Sequence, residues 1–237
     1  MRQKMTAASQ VWVALMFTTG FCSMIYELAL AQLLSGLLGN ALARFATTLG
    51  FYVFGMGLGS VLFVSRSPES DASLFFKAEL ALALTGLASP LIFVLAYKLS
   101  FLSADPSIQN WIVVLITHAV IFLTGLLSGF ELPVLSSLLQ RTSANSEGRI
   151  LAADYAGMFL ASLCFPLFLY PVLGLIPALF TATTLNIIAA ALTYWVVGGR
   201  TKLMQILLAM ILVANVATLV YAGPFQDWLS GIYASVR

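Results

Sequence analysis

The chain has 237 residues, of which 61% are hydrophobic and only 8% charged, with a formal net charge of +2. Soluble domains carry about 25% charged residues, so this composition excludes a water-soluble globule and points to lipid as the solvent. The small net charge and the lack of a basic stripe also argue against nucleic acid as a partner.

A bilayer core of about 30 Å is crossed by about 20 mostly apolar residues at about 1.5 Å of rise each. Apolar segments of that size occupy residues 11–38, 41–64, 73–99, 108–139, 150–170, 173–197 and 203–222. None alternates as a barrel strand would, and lipid offers no partner for an open backbone, so each is expected to be a helix. The expected fold is an all-α, polytopic bundle of about seven transmembrane helices. Residues 1–10 would form a cytoplasmic N-terminus, 11–222 the bundle and 223–237 an amphipathic tail.

The first segment is too long for the apolar core of a signal peptide and reads as a retained helix. It carries Cys22, Tyr26 and, deep inside, Glu27. The second begins near Arg44, which would snorkel outward or reach toward Glu27. It ends in Gly55, Gly57 and Gly59, a small-residue pattern suited to close helix packing. With no strand before it, that pattern is not a nucleotide loop. Glu79 lies near the inner end of the third segment. The fourth holds the single histidine, His118, then Gly125, Ser128 and Gly129, then Glu131-Leu132-Pro133. Proline has no amide hydrogen, so Pro133 should free a carbonyl near Gly129 and kink the helix beside Glu131. The fifth segment contains Asp154, Tyr155 and Cys164; Asn186 and Asn215 follow in the sixth and seventh as candidates for interhelical hydrogen bonds. In the tail, Phe225, Trp228, Leu229, Ile232 and Tyr233 recur at helical spacing, as in a short interfacial helix. The two cysteines have no metal-like spacing and read as packing residues.

Loop charges set the orientation. With the N-terminus in the cytoplasm, Arg2, Lys4, Arg66, Lys77, Arg141, Arg149, Arg200 and Lys202 fall inside, against Arg44, Lys98 and Arg237 outside. The positive-inside rule favours this arrangement and places the C-terminus outside.

An ionised group at the bilayer centre costs about 2.5–3.5 kcal/mol or more and calls for a reason. Glu27, Glu131 and Asp154, with Glu79 nearby, suit either of two readings. One is structural pairing of carboxyls within the bundle. The other is an acidic cavity for a cation, or a proton path. His118 reads more readily as a hydrogen-bonded packing residue than as a relay, and a metal site is not expected. No nucleophile motif, HExxH pair or rhomboid-like Ser–His arrangement is present, and no cofactor is expected.

Several strings resemble the membrane domain of polytopic spermidine synthase-like proteins, the polyamine aminopropyltransferase family. They are Gly20-Phe21 through Tyr26-Glu27, Leu33-Leu34-Ser35 with Leu38-Gly39, and Gly55 through Ser60. Glu131-Leu132-Pro133, Gly148-Arg149 with Ala152 through Gly157, and Pro224 through Trp228 complete the set. The resemblance implies a membrane domain that, in fused members, precedes a Rossmann-like domain. That domain would bind decarboxylated S-adenosylmethionine and pass an aminopropyl group to a polyamine. This chain stops at Arg237 without a glycine-rich nucleotide loop, so catalysis by this chain is not expected. The leading expectation is a non-catalytic, inner-membrane domain that binds or moves a small cationic or amphipathic ligand. Tyr26, Glu27, Arg44, Glu131, Asp154 and Tyr155 would form its site, and Gly55, Gly57, Gly59, Gly125 and Gly129 would pack helices. The alternatives are a structural subunit that docks a partner protein, a membrane enzyme, and a transferase component whose catalytic domain lies outside this chain.

Overall fold

The computed structural model describes residues 7–102, 104–141, 147–196 and 202–220, and among them there is no strand. The helices are α1 (Ala7–Leu38), α2 (Ala41–Leu62), α3 (Pro68–Ser100), α4 (Pro106–Ser128), α5 (Glu131–Gln140), α6 (Glu147–Cys164), α7 (Leu175–Val196) and α8 (Lys202–Val220). A π-helical segment, Phe165–Leu173, continues α6. Among the described residues, six stretches are long and apolar enough to cross a bilayer: Ser9–Leu38, Ala41–Leu62, Pro68–Ser100, Ser107–Gln140, Glu147–Leu173 and Leu175–Thr193. The seventh expected segment is helical as α8, but its apolar stretch, Leu208–Ala217, is shorter than these six. The expected tail helix lies outside the described residues.

Local chemistry explains the helix ends. Gly39 and Asn40 adopt positive φ between α1 and α2, and the Asn40 side chain accepts from the Ala43 amide at 3.3 Å. Ser67 and Asp105 cap α3 and α4, each followed by a proline at the first helical position, where no amide hydrogen is needed. The break between α4 and α5 falls at Gly129 and Phe130, four and three residues before Pro133. The Gly129 carbonyl, which a proline at 133 leaves without its helical donor, accepts from Ser60 Oγ at 2.8 Å. A side chain of α2 thereby satisfies the group exposed by the kink.

Helix α1 lies at the centre, packed on α6, α7 and α2, while α2 pairs with α4, and α3 with α7 and α4. Glycines set the α2–α4 distance. A Cβ on Gly55 would lie 2.5 Å from the Phe122 carbonyl oxygen, and one on Gly129 would lie 2.8 Å from Met56 Cα. Gly59 and Gly125 likewise face the backbone of Leu126 and of Tyr52. Gly57 has no part in this seam: a Cβ there meets nothing within 4 Å. Two residues along a helix turn the side chain by roughly 200°, so Gly57 must face away from Gly55 and Gly59. The outer faces of α2 and α6 present apolar side chains such as Phe54, Val61 and Phe159.

Candidate functional site

One face of α1 carries Thr19, Ser23 and Tyr26, spaced four and three residues apart, and all are buried. Ser23 and Ser128 hydroxyls each lie 3.0 Å from the Tyr52 hydroxyl, which donates to the Ser23 carbonyl at 3.1 Å. With its single hydrogen spent there, Tyr52 accepts from both serines. Tyr26 donates to Thr183 Oγ1 at 3.2 Å and accepts from Asn186 Nδ2 at 3.3 Å. These bonds tie α1 to α2, α4 and α7 and leave both tyrosine hydroxyls satisfied.

Carboxyls surround this stripe. Glu79 on α3 is fully buried, and neither of its carboxyl oxygens has a hydrogen-bond partner among the described residues. Glu131 opens α5 with its carboxyl beside the Thr19 hydroxyl, and its Oε1 is buried without a partner among the described residues. Its place in the first turn of α5 is one where a negative charge is favoured. Glu131 lies within electrostatic reach of both Glu79 and Asp154, and Cys22 within reach of Glu79 and Glu131. Asp154 is buried against Gly20 of α1, and Glu27, also buried, lies within reach of Tyr52. No lysine, arginine or histidine among the described residues forms an ion pair with Glu27, Glu79, Glu131 or Asp154. Nor do any three His, Cys, Asp or Glu side chains among those residues converge as a metal ion would require. The arrangement is a string of carboxyls, with buried acceptor capacity left open at Glu79 and Glu131.

The other expected site residues lie elsewhere. Tyr155 is 63% exposed on the outer side of α6, because adjacent helical residues diverge by about 100° and Asp154 takes the inward position. Arg44 makes no ion pair with Glu27; it lines a separate pocket between α2 and α4 with His118. The His118 Nδ1 donates to the Val114 carbonyl at 2.8 Å, as a packed histidine does. Asn186 bonds Tyr26, and Asn215 Nδ2 donates to the Phe180 carbonyl and to Thr184 Oγ1.

Asp71 is not among the site residues expected from the sequence. This residue is 2% exposed in the first turn of α3 and accepts from Ser65 Oγ at 2.8 Å, the Arg66 amide at 3.1 Å, Ser137 Oγ at 2.9 Å and Arg141 at 3.2 Å. It locks the α2–α3 turn to α5. Its partners come from two places in the chain, the α2–α3 turn and the end of α5, so no single local pattern announces them. Thr19 and Tyr52 are likewise ordinary helix residues until the bundle brings them together.

Fold and site together define a helical protein with, among the described residues, six helices long and apolar enough to cross a bilayer and a carboxyl-rich polar interior. The chain is similar to a polyamine aminopropyltransferase of Leptospira interrogans, 35% identical over 205 residues, which is 85% of this chain and 38% of that protein. It is also similar to polyamine aminopropyltransferase 2 of Ralstonia nicotianae, at 34% over 81% of this chain and 36% of that protein. For polyamine aminopropyltransferase 1 of Streptomyces coelicolor the figures are 32%, 74% and 32%. These similarities support the spermidine synthase-like resemblance. The chain spans 32–38% of the length of these relatives. No protein-family model and no solved structure matches it.

Proposed function

We propose that this chain is a membrane-embedded domain of the spermidine synthase-like family that binds a small organic cation, a polyamine first of all, at its buried carboxyls. Glu79 and Glu131 are the central ligands, with Asp154 and Glu27 flanking them. The observation that carries this reading is the pair of Glu79 carboxyl oxygens, buried without a partner among the described residues, as Glu131 Oε1 also is. Buried polar atoms are normally hydrogen-bonded, and exceptions call for an absent water, ion or ligand. A strung-out set of carboxyls suits an extended molecule with several ammonium groups better than a single metal ion. The names of the relatives, polyamine aminopropyltransferases, put such molecules within the family's chemistry. In this reading the domain sits in a bacterial inner membrane with its N-terminus in the cytoplasm. It hands its ligand across or along the bundle and does no chemistry of its own.

The test is calorimetric titration of the purified chain with spermidine and putrescine, wild type beside Glu79→Gln and Glu131→Gln. Saturable binding should weaken by about 1.5–3 kcal/mol in each variant, the typical worth of a hydrogen bond to a charged group. Absence of saturable cation binding by the wild type, with large stability losses in both variants, would leave the structural subunit as the better account.

A further inference from the structure

We propose that the pocket between α2 and α4, at the end of the bundle remote from Asp71, is a binding site for one anionic lipid. Its headgroup would sit on Arg44, and an acyl chain would lie along Phe51, Leu115 and Phe122. The pocket has a volume of about 430 Å³. Apart from Arg44, His118 and Thr47 its walls are apolar, and it opens sideways past Phe51, Trp111 and Leu115, which are 47%, 61% and 65% exposed.

Three features select the occupant. First, Arg44 is half-buried, its Nε is shielded without a partner, and it forms no ion pair among the described residues. A guanidinium in an apolar wall is costly unless an anion answers it. Second, the His118 ring is held by its Nδ1 bond to the Val114 carbonyl and packs edge-on to Phe51 at 4.9 Å between centroids. A carbonyl can only accept, so Nδ1 carries the hydrogen and Nε2 of the neutral ring is left as an acceptor. It suits a headgroup hydroxyl beside the anion, as in a glycerol phosphate ester. Third, the wall from Trp111 to Phe122 runs about 16 Å along α4 at ~1.5 Å per residue, close to half of a ~30 Å bilayer core. Trp111 has the amphipathic ring that favours the membrane interface. The pocket is therefore about one leaflet deep, with its cation near the surface. The inference rests on the helices lying in a bilayer and not on the carboxyl site.

The experiment reconstitutes the full chain in nanodiscs of equal phosphatidylglycerol and phosphatidylcholine. The lipid retained after mild release is then counted by native mass spectrometry; recovery in the discs reports insertion separately. The wild type should retain phosphatidylglycerol in preference. Arg44→Gln should lower that preference about tenfold, the loss of one charge-assisted contact, and Arg44→Lys should restore much of it. Ala119→Phe, which fills the pocket and keeps the charge, should lower retention of the lipid as a whole. Equal retention by wild type and Arg44→Gln would overturn the proposal, as would displacement by inorganic phosphate alone. A dimer abolished by Ala119→Phe, with lipid retention unchanged, would assign the pocket to a second copy and also overturn it. Unaltered melting of Ala119→Phe keeps the test valid if Arg44→Gln folds poorly.

Discussion

Gly20 of α1 and Asp154 of α6 share one point in the bundle. A Cβ on Gly20 would lie 2.5 Å from Asp154 Oδ1 and 2.6 Å from its carbonyl oxygen. One turn further along α6, Gly157 faces α1 with equal closeness, its absent Cβ pointing at the Phe17 carbonyl oxygen and the Phe21 amide. Two of the strings that resemble the family, around Gly20 and around Asp154, are therefore the two sides of one helix contact. The glycines let α6 approach until Asp154 is buried beside the polar face of α1.

Gly20→Ala should accordingly be destabilising by about 1–3 kcal/mol, the usual cost of overpacking. The obstructing atoms include backbone, which cannot rotate away. Gly57→Ala should instead be neutral or stabilising by about 0.5–1 kcal/mol, since alanine is the better helix former and the space is open. Thermal melts of both variants in one detergent check the pair. Equal melting temperatures would mean that α1 and α6 are not in tight contact.

Several of these relations were readable from residue types. Pro133 lacks an amide hydrogen whatever surrounds it, so the break before it and the freed carbonyl at Gly129 were predictable; only the donor, Ser60, was not. Helical period separates Gly57 from Gly55 and Tyr155 from Asp154, yet adjacency in a motif had grouped them. Glu79 was visible as a carboxyl in an apolar segment, but its lack of partners is a tertiary fact. Of the two expectations for Arg44, outward snorkelling or a reach toward Glu27, the second does not hold: the residue lines a pocket with His118, because α2 packs along α4.

Unsatisfied carboxyl oxygens make a prediction opposite to that of a structural ion pair. If Glu79 is held for a ligand, Glu79→Leu should raise the melting temperature of the ligand-free protein. It removes a buried group whose unmet hydrogen bonds cost about 1–3 kcal/mol. The same variant should lose the stabilisation that spermidine gives the wild type. A fall in ligand-free stability would show that Glu79 has a structural partner in the bundle.

Orientation is open to direct measurement. Reporter fusions after Arg66 and Arg141 should read cytoplasmic and a fusion after Lys98 external, as the distribution of basic residues requires. A cytoplasmic signal after Lys98 would invert the bundle and move the Arg44 pocket to the inner leaflet.

Asp71 offers the last prediction, because its contacts divide by burial. Arg141 is 37% exposed on its side of the 3.2 Å pair, and exposed ion pairs contribute about 0–1 kcal/mol. Asp71 is 2% exposed and accepts two serine hydroxyls and the Arg66 amide as well. Arg141→Gln should therefore change stability little, and less still at high salt, where screening has already weakened the pair. Asp71→Ala leaves Ser65, Ser137 and the Arg66 amide without their common acceptor. It should be destabilising by about 1.5–3 kcal/mol for each such bond that water does not replace. Asp71→Asn keeps one carbonyl acceptor and should fall between the two. The check is a melting series of the three variants at low and high salt. If Arg141→Gln matched Asp71→Ala, the ion pair would be the lock, and the serine and amide bonds would be incidental to joining the α2–α3 turn to α5.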